Sequence, residues 1–332
     1  MAAHSQSIPT DLRKVLTGEF VFSENELRKV ESGQPVGKLL TSASPDDLRL
    51  IGAVLIEVDS PTFIRAYKDI VHFEVGKEVR RAGKFSEPPA LADLKDFHWP
   101  DLNQKDVLAC KPGRCDYKLP ASVMQEFKTK LDWSAHDASA QADALIRQIW
   151  IDYLNRYRQQ GDRALTVYYD TESPFAVADG LKKLIDTFPV AREKLPELVR
   201  YLTQYPQAKP AGVEEFFYWQ EAAFGLKPVI RTSHVIIQEL PREGGSHYAI
   251  ASKMLFASHY FRAGLEFKYV YPVRTSAGKP AVYFVTYQRS YVDGMTGLTG
   301  SVLRKIAPGR SQASLIENLR LAKQGLEGRV TN

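Results

Sequence analysis

Ala281-Val282-Tyr283-Phe284-Val285-Thr286-Tyr287-Gln288-Arg289-Ser290-Tyr291-Val292 reads as a β-strand by composition and by period. β-Branched and aromatic residues fill it, and Gly278 and Pro280 punctuate its start. Alternation puts Tyr283, Val285, Tyr287, Arg289 and Tyr291 on one face. Phe284, Thr286, Gln288 and Ser290 fall on the other. Aromatic and polar side chains alternate in this way where one face of a sheet meets something other than bulk water. A single strand does not fix which face that is.

The stretches on either side carry the same pattern. Strands are expected over His234–Leu240, His247–Leu255 and His259–Val273. The turns Glu243-Gly244-Gly245-Ser246 and Ser276-Ala277-Gly278-Lys279-Pro280 separate strands. Downstream, Leu315, Leu319, Ala322 and Leu326 recur at helical spacing and predict a terminal helix over Ser311–Leu326. Between strand and helix stands Gly294-x-x-Gly297-x-x-Gly300, which lacks the spacing of a nucleotide-binding loop. It reads as a conformationally free crossing from sheet to helix.

Further upstream, Pro35–Thr41 and Leu48–Val58 predict a hairpin around Ser42-Ala43-Ser44-Pro45-Asp46-Asp47. Ser60, as N-cap, and Pro61 open a helix with Phe63, Ile64, Tyr67, Ile70 and Val71 on one side. Residues 1–34 read as an irregular lead-in with one short helix, Ser23–Glu31. Residues 83–105 read as a surface loop, and Val107–Leu119 as a hairpin. Helices are expected at Ala121–Leu131, Ala138–Arg158, Pro174–Phe188, Ala191–Tyr205 and Val213–Phe224. The chain thus divides into the lead-in, a first part of an α+β core over 35–119, a helical insertion or subdomain over 120–225, and the rest of the sheet with its helix over 226–332. The expected fold is α+β, a curved antiparallel sheet gripping a long C-terminal helix, with a helical insertion.

Composition narrows the function classes. The chain has 332 residues, is 44% apolar and 25% charged, and carries a net charge of +5. Its Lys and Arg residues are scattered, so nucleic acid is not an expected partner. No stretch approaches the roughly 18 apolar residues of a membrane span. Met1-Ala2-Ala3-His4-Ser5-Gln6 resembles the small polar residues left after a signal peptide is removed. Cys110 and Cys115 flank Lys111-Pro112-Gly113-Arg114, a turn that suits a disulfide. Two free thiols or half of a metal site are the alternatives, and no second Cys or His pair has metal-ligand spacing. A disulfide implies an oxidising compartment, so a periplasmic or secreted location is expected.

The candidate ligand-binding residues are His259, Phe261, Phe267, Tyr269, Tyr283, Tyr287 and Arg289. His259 shares a row by alternation with Phe261, Ala263, Leu265, Phe267, Tyr269 and Tyr271. Arg289 either orients an anionic group or forms an ion pair with Asp293. His234 and His247 read as solvent-facing, and the paired carboxylates Asp46-Asp47 and Glu214-Glu215 as solvated turns or a helix start. There is no nucleophile elbow, no His-Glu-x-x-His, no complete calcium loop, no metal site and no cofactor motif.

Leu50-Ile51-Gly52-Ala53-Val54-Leu55-Ile56-Glu57-Val58-Asp59-Ser60-Pro61, Phe63–Asp69 and His234–Leu326 together resemble the START-like helix-grip superfamily. In that group a first strand leads into short helices, an antiparallel sheet follows, and a long C-terminal helix closes a hydrophobic tunnel. The resemblance covers about half the chain and departs from the pattern at residues 120–225. It carries over no functional residue, and fold analogy does not set function. The aromatic sheet, the terminal helix and the absence of a catalytic motif lead to the expectation of an exported protein that binds a hydrophobic or aromatic small molecule in a sheet–helix cavity. The alternative is a cofactor-independent lyase, cyclase or hydrolase in the same cavity, with His259 as acid–base and Tyr287 or Arg289 stabilising charge. A third reading gives the helical insertion a protein partner, which a large exposed apolar patch would mark.

Overall fold

A computed structural model of the chain describes residues 7–42, 44–74, 78–223, 227–242, 245–293 and 297–330. The N-terminal hexapeptide, Ala43, Phe224, turn residues 243–244 and Gly294 lie outside them. In chain order the elements are α1 (Thr10–Gly18), α2 (Glu24–Glu31), β1 (Val36–Leu39), β2 (Asp47–Ile56), α3 (Ser60–Lys68), α4 (Ile70–Glu74) and β3 (Val79–Lys84). Then come α5 (Gln104–Ala109), α6 (Ala121–Thr129), α7 (Ala138–Gln160), the two-residue strands β4 (Val167–Tyr168) and β5 (Phe175–Ala176), α8 (Val177–Asp186), α9 (Pro189–Lys194) and α10 (Pro196–Gln204). The chain closes with β6 (Val213–Ala222), β7 (Val229–Arg242), β8 (Gly245–Ala257), β9 (Phe261–Arg274), β10 (Pro280–Val292) and α11 (Gly297–Val330).

The fold is α+β, with an eight-stranded antiparallel sheet in the order β1-β2-β10-β9-β8-β7-β6-β3 and a C-terminal helix. β3 and β6 are neighbours, pairing Lys84 with Tyr218. The segment from Phe85 to Gly212, which holds α5–α10, therefore leaves and re-enters the sheet at the same place.

Several local expectations need correction. Val213–Phe224 is not a helix; residues 213–222 form β6. Phe217 and Trp219 pack on one face of that strand and Phe216 and Tyr218 on the other. A run buried on both faces has no period of two to read. Residues 83–105 are not a surface loop: Phe85, Leu94, Phe97 and Trp99 are buried, and Arg147 Nε donates to the Phe97 carbonyl at 3.1 Å. The hairpin expected over Val107–Leu119 is reduced to one bridge, Lys111–Arg114, after α5. The lead-in holds a second helix, α1, ahead of α2. The N-cap of α3 is Asp59 rather than Ser60, its carboxylate accepting from the Thr62 amide at 2.7 Å. The last helix begins at Gly297, so the glycine run enters it.

Each face of the sheet carries its own core. On one, Ile51, Ala53, Leu55, Leu265, Phe267, Tyr283, Val285 and Tyr287 pack with α1, α2 and the helical block. On the other, Leu50, Val54, Ile56, Val270, Val282 and Phe284 pack with Phe63, Ile64 and Tyr67 of α3 and with Leu315, Leu319 and Leu326 of α11. Burying each such leucine contributes roughly 1.5–3 kcal/mol. Gly52 permits the approach, since a Cβ there would lie 2.7 Å from Leu319 Cδ1. The helix α11 also reaches both edges of the sheet. Gln312 Nε2 donates to the Gly37 carbonyl on β1 at 2.8 Å, and the Ser314 hydroxyl bonds Glu78, the residue before β3.

Candidate functional site

The tyrosine row of β10 faces the helical block, not α11. Tyr287 stacks on Phe188 with ring centroids 4.3 Å apart and also meets Phe20 at 5.5 Å. Burial pushes its phenol up to about 12. Phe267 meets the same Phe188 ring at 5.3 Å. Tyr283 is fully buried in this core. Tyr269 bonds the Nδ1 of His247 at 3.0 Å.

Arg289 is locked by Asp47, not by Asp293. Its Nε and Nη2 meet the two carboxylate oxygens at 2.8 and 2.7 Å, and its Nη1 reaches the Thr187 carbonyl at 3.3 Å and the Thr187 hydroxyl. Asp293 instead bonds Arg262 and Lys118. A bidentate fork satisfied from both sides has few donors left for a ligand. His259 Nε2 donates to Asp101 Oδ2 at 2.8 Å, and Trp99 Nε1 donates to the other oxygen at 3.0 Å. Phe261 departs from the expected row, because the register shifts at Tyr291/Val292 and it packs with Val229, Met254 and Ala257. The structure therefore brings Phe267 and Tyr287 together, and gives His259 and Arg289 separate partners.

The histidines read as solvent-facing are buried. His234 is fully enclosed, with Nδ1 3.2 Å from the Tyr157 hydroxyl and Nε2 3.2 Å from Glu215 Oε2. Burial disfavours the Glu215 charge, but bonds from His234, Tyr201 and Lys209 outweigh it and hold the carboxyl at about 2. Burial also lowers His234. Asp47 and Glu215 are thus structural anchors rather than solvated carboxylates.

The opposite face of the sheet holds a polar centre. Register places Thr286 beside Lys268, and Gln288 beside Glu266, which in turn lies beside Ser252. On the next strands Gln220 pairs with Arg231, its amide oxygen accepting from the guanidinium Nε at 2.8 Å. These residues share the face of Val270 and Phe284, toward α3 and α11. Lys268 is 6% exposed and bonds Glu266, and its ammonium lies 5.7 Å from the Tyr67 ring. Burial opposes the Lys268 charge, yet Glu266, Tyr67 and Glu74 together raise its pKa well above the usual value. Burial raises Glu74. Glu266 is lowered, because the Lys268 charge outweighs the cost of burial.

Two clefts lie away from both of these regions. One, about 730 Å³, has Trp99, Trp150, Tyr153 and Phe256 among its walls and opens between α6 and α7. The other, about 650 Å³, lies against Cys110 and Cys115, which form a disulfide, and is rimmed by Asp106, Asp116 and Asp170. Neither is lined by the candidate ligand-binding residues. Among the described residues no group of His, Cys, Asp and Glu could hold a metal ion, and no helix is long and apolar enough to cross a membrane. The exposed large hydrophobics, Val21, Leu39, Leu91 and Leu108, are scattered and none lies on α6–α10.

Comparison with protein-family models gives no match, and comparison with curated proteins gives none either.

Glu266 and Lys268 escape sequence reading because two charges spaced by two on a strand look like a solvated face. The signal available was Thr286, Gln288 and Ser290 on the non-tyrosine face of β10.

Proposed function

We propose that this chain binds a hydrophobic or aromatic small molecule between the α11 side of its sheet and the helix α11. The observation that carries this reading is Glu266. It lies mid-sheet, flanked by β8 and β10, on the face covered by α3 and α11, yet its side chain keeps 29% exposure. Space left unfilled beneath the helices would account for a carboxylate so placed staying partly exposed. The polar centre would then meet one end of the ligand, and Val270, Phe284 and Phe63 its apolar body.

A curved sheet gripping the helix is part of this reading. Gln312 and Ser314 are two residues apart on α11, yet they bond next to opposite edges of the sheet, β1 and β3. A sheet bent around the helix would account for two edges lying that close. The START-like resemblance gains support from element order: strand β2, short helices α3 and α4, antiparallel strands, then α11. The helical block sits on the other face, so it interrupts the chain without interrupting this order. The disulfide supports an exported, periplasmic or secreted location.

Ser252→Trp tests the void. Ser252 is 6% exposed and central on the α11 face. If space exists there, the variant folds and loses the one-to-one adduct with 1-dodecanol that native mass spectrometry detects for the parent. If the centre is solid, the indole has no room and the variant unfolds, which overturns the reading.

A further inference from the structure

We infer that the molecule taken by this cavity carries an uncharged oxygen group, such as a hydroxyl, ketone or ester, that sits between Thr286 and Tyr67 at Lys268. This rests on the cavity reading above and names its ligand class. The Thr286 hydroxyl, 3% exposed, and the Tyr67 hydroxyl, fully buried, have no hydrogen bond of normal length among the described residues. Both surround Lys268: Thr286 is its cross-strand partner on β10, and the Lys268 ammonium lies 5.7 Å from the Tyr67 ring. Buried hydroxyls are normally bonded, and leaving one unpaired is costly.

Both orphans need an acceptor for their O–H. Lys268 cannot supply one, because an ammonium only donates. An oxygen atom from a ligand would satisfy both. The charges at the centre argue against a carboxylate in that role. Lys268 is already bonded to Glu266, and Arg231 to Gln220. Glu74 belongs to the same electrostatic group. A ligand anion at the two hydroxyls would be buried close to Glu266 and Glu74, and Lys268, the cation beside them, is already paired with Glu266. An ammonium would meet Lys268 and Arg231 and bring no acceptor. A neutral oxygen fills the vacant bonds and adds no charge.

Equilibrium dialysis at pH 8 with 1-dodecanol and with dodecanoate, chains of equal length, tests this on the full chain. Dodecanol is expected to bind at least about tenfold more tightly, the discrimination one unmet buried hydrogen bond or charge commonly brings. Thr286→Val with Tyr67→Phe, both close in shape to the parent side chains, should cut dodecanol affinity and leave dodecanoate affinity unchanged. Equal or tighter binding of dodecanoate overturns the ligand class but keeps the cavity. A dodecanol advantage that survives the double variant overturns the assignment to these hydroxyls. No binding of either compound overturns the cavity itself.

Discussion

Arg289→Met separates a structural arginine from a ligand-binding one. Arg289 and Asp47 are 4% and 6% exposed and bonded through the Nε–Nη2 edge of the guanidinium. Breaking a buried pair from one side commonly costs about 3–5 kcal/mol, because the remaining charge is left without its partner. Here Arg49 still lies 3.0 Å from Asp47 and is 27% exposed, so part of the compensation survives and about 3 kcal/mol is expected. Guanidinium unfolding followed by tryptophan fluorescence reads the loss. Combining it with Asp47→Leu should recover most of the loss, since an apolar pair replaces both charges. The reasoning is refuted if Arg289→Met costs under about 1 kcal/mol. It is equally refuted if the variant keeps its stability and loses dodecanol binding, which would make Arg289 a ligand group.

Gly52→Val should displace Leu315 and Leu319 and loosen α11 on the sheet, since the new Cβ would lie 2.7 Å from Leu319 Cδ1. The expected cost is about 1–3 kcal/mol, with faster hydrogen exchange over residues 315–326 while α7 stays protected. Glu215 is held at about 2 against an ordinary 4.5, so its contribution is complete above the ordinary value and is lost as pH falls toward 2. The lowered His234 acts in the same direction below its ordinary 6.5. Acid unfolding of Glu215→Gln should therefore show a weaker pH slope between about 4.5 and 2 than the parent, and an unchanged slope would contradict the assignment. Mass spectrometry after alkylation of the isolated protein should find Cys110 and Cys115 unmodified unless a reductant is added, and free thiols would remove the support for export.

What the sequence made legible was local. The strand Ala281–Val292, the leucine stripe of α11 and the Pro-Gly turn between the cysteines each carry their signal within a few residues, and each is found at its place. Val213–Ala222 misled because its aromatics are buried on both faces. Arg289 pairs with Asp47 across the whole chain, so no local pattern could reveal it, whereas Asp293 was close only in sequence. The sequence left open which face of Tyr283–Tyr291 looks inward. Both faces are buried: Phe284 packs toward the terminal helix, and the tyrosines turn to the helical block. The polar centre joins side chains from β6, β7, β9, β10, α3 and α4, a convergence that only the fold creates.

Photo-crosslinking with a diazirine-bearing dodecanol, followed by peptide mapping, tests the central claim most directly. Labels on Glu266, on its neighbours in β8–β10 or on α11 are the expected result. Labels confined to the cleft of Trp99, Val123, Ile149 and Trp150 would place the ligand on the helical block and contradict the account.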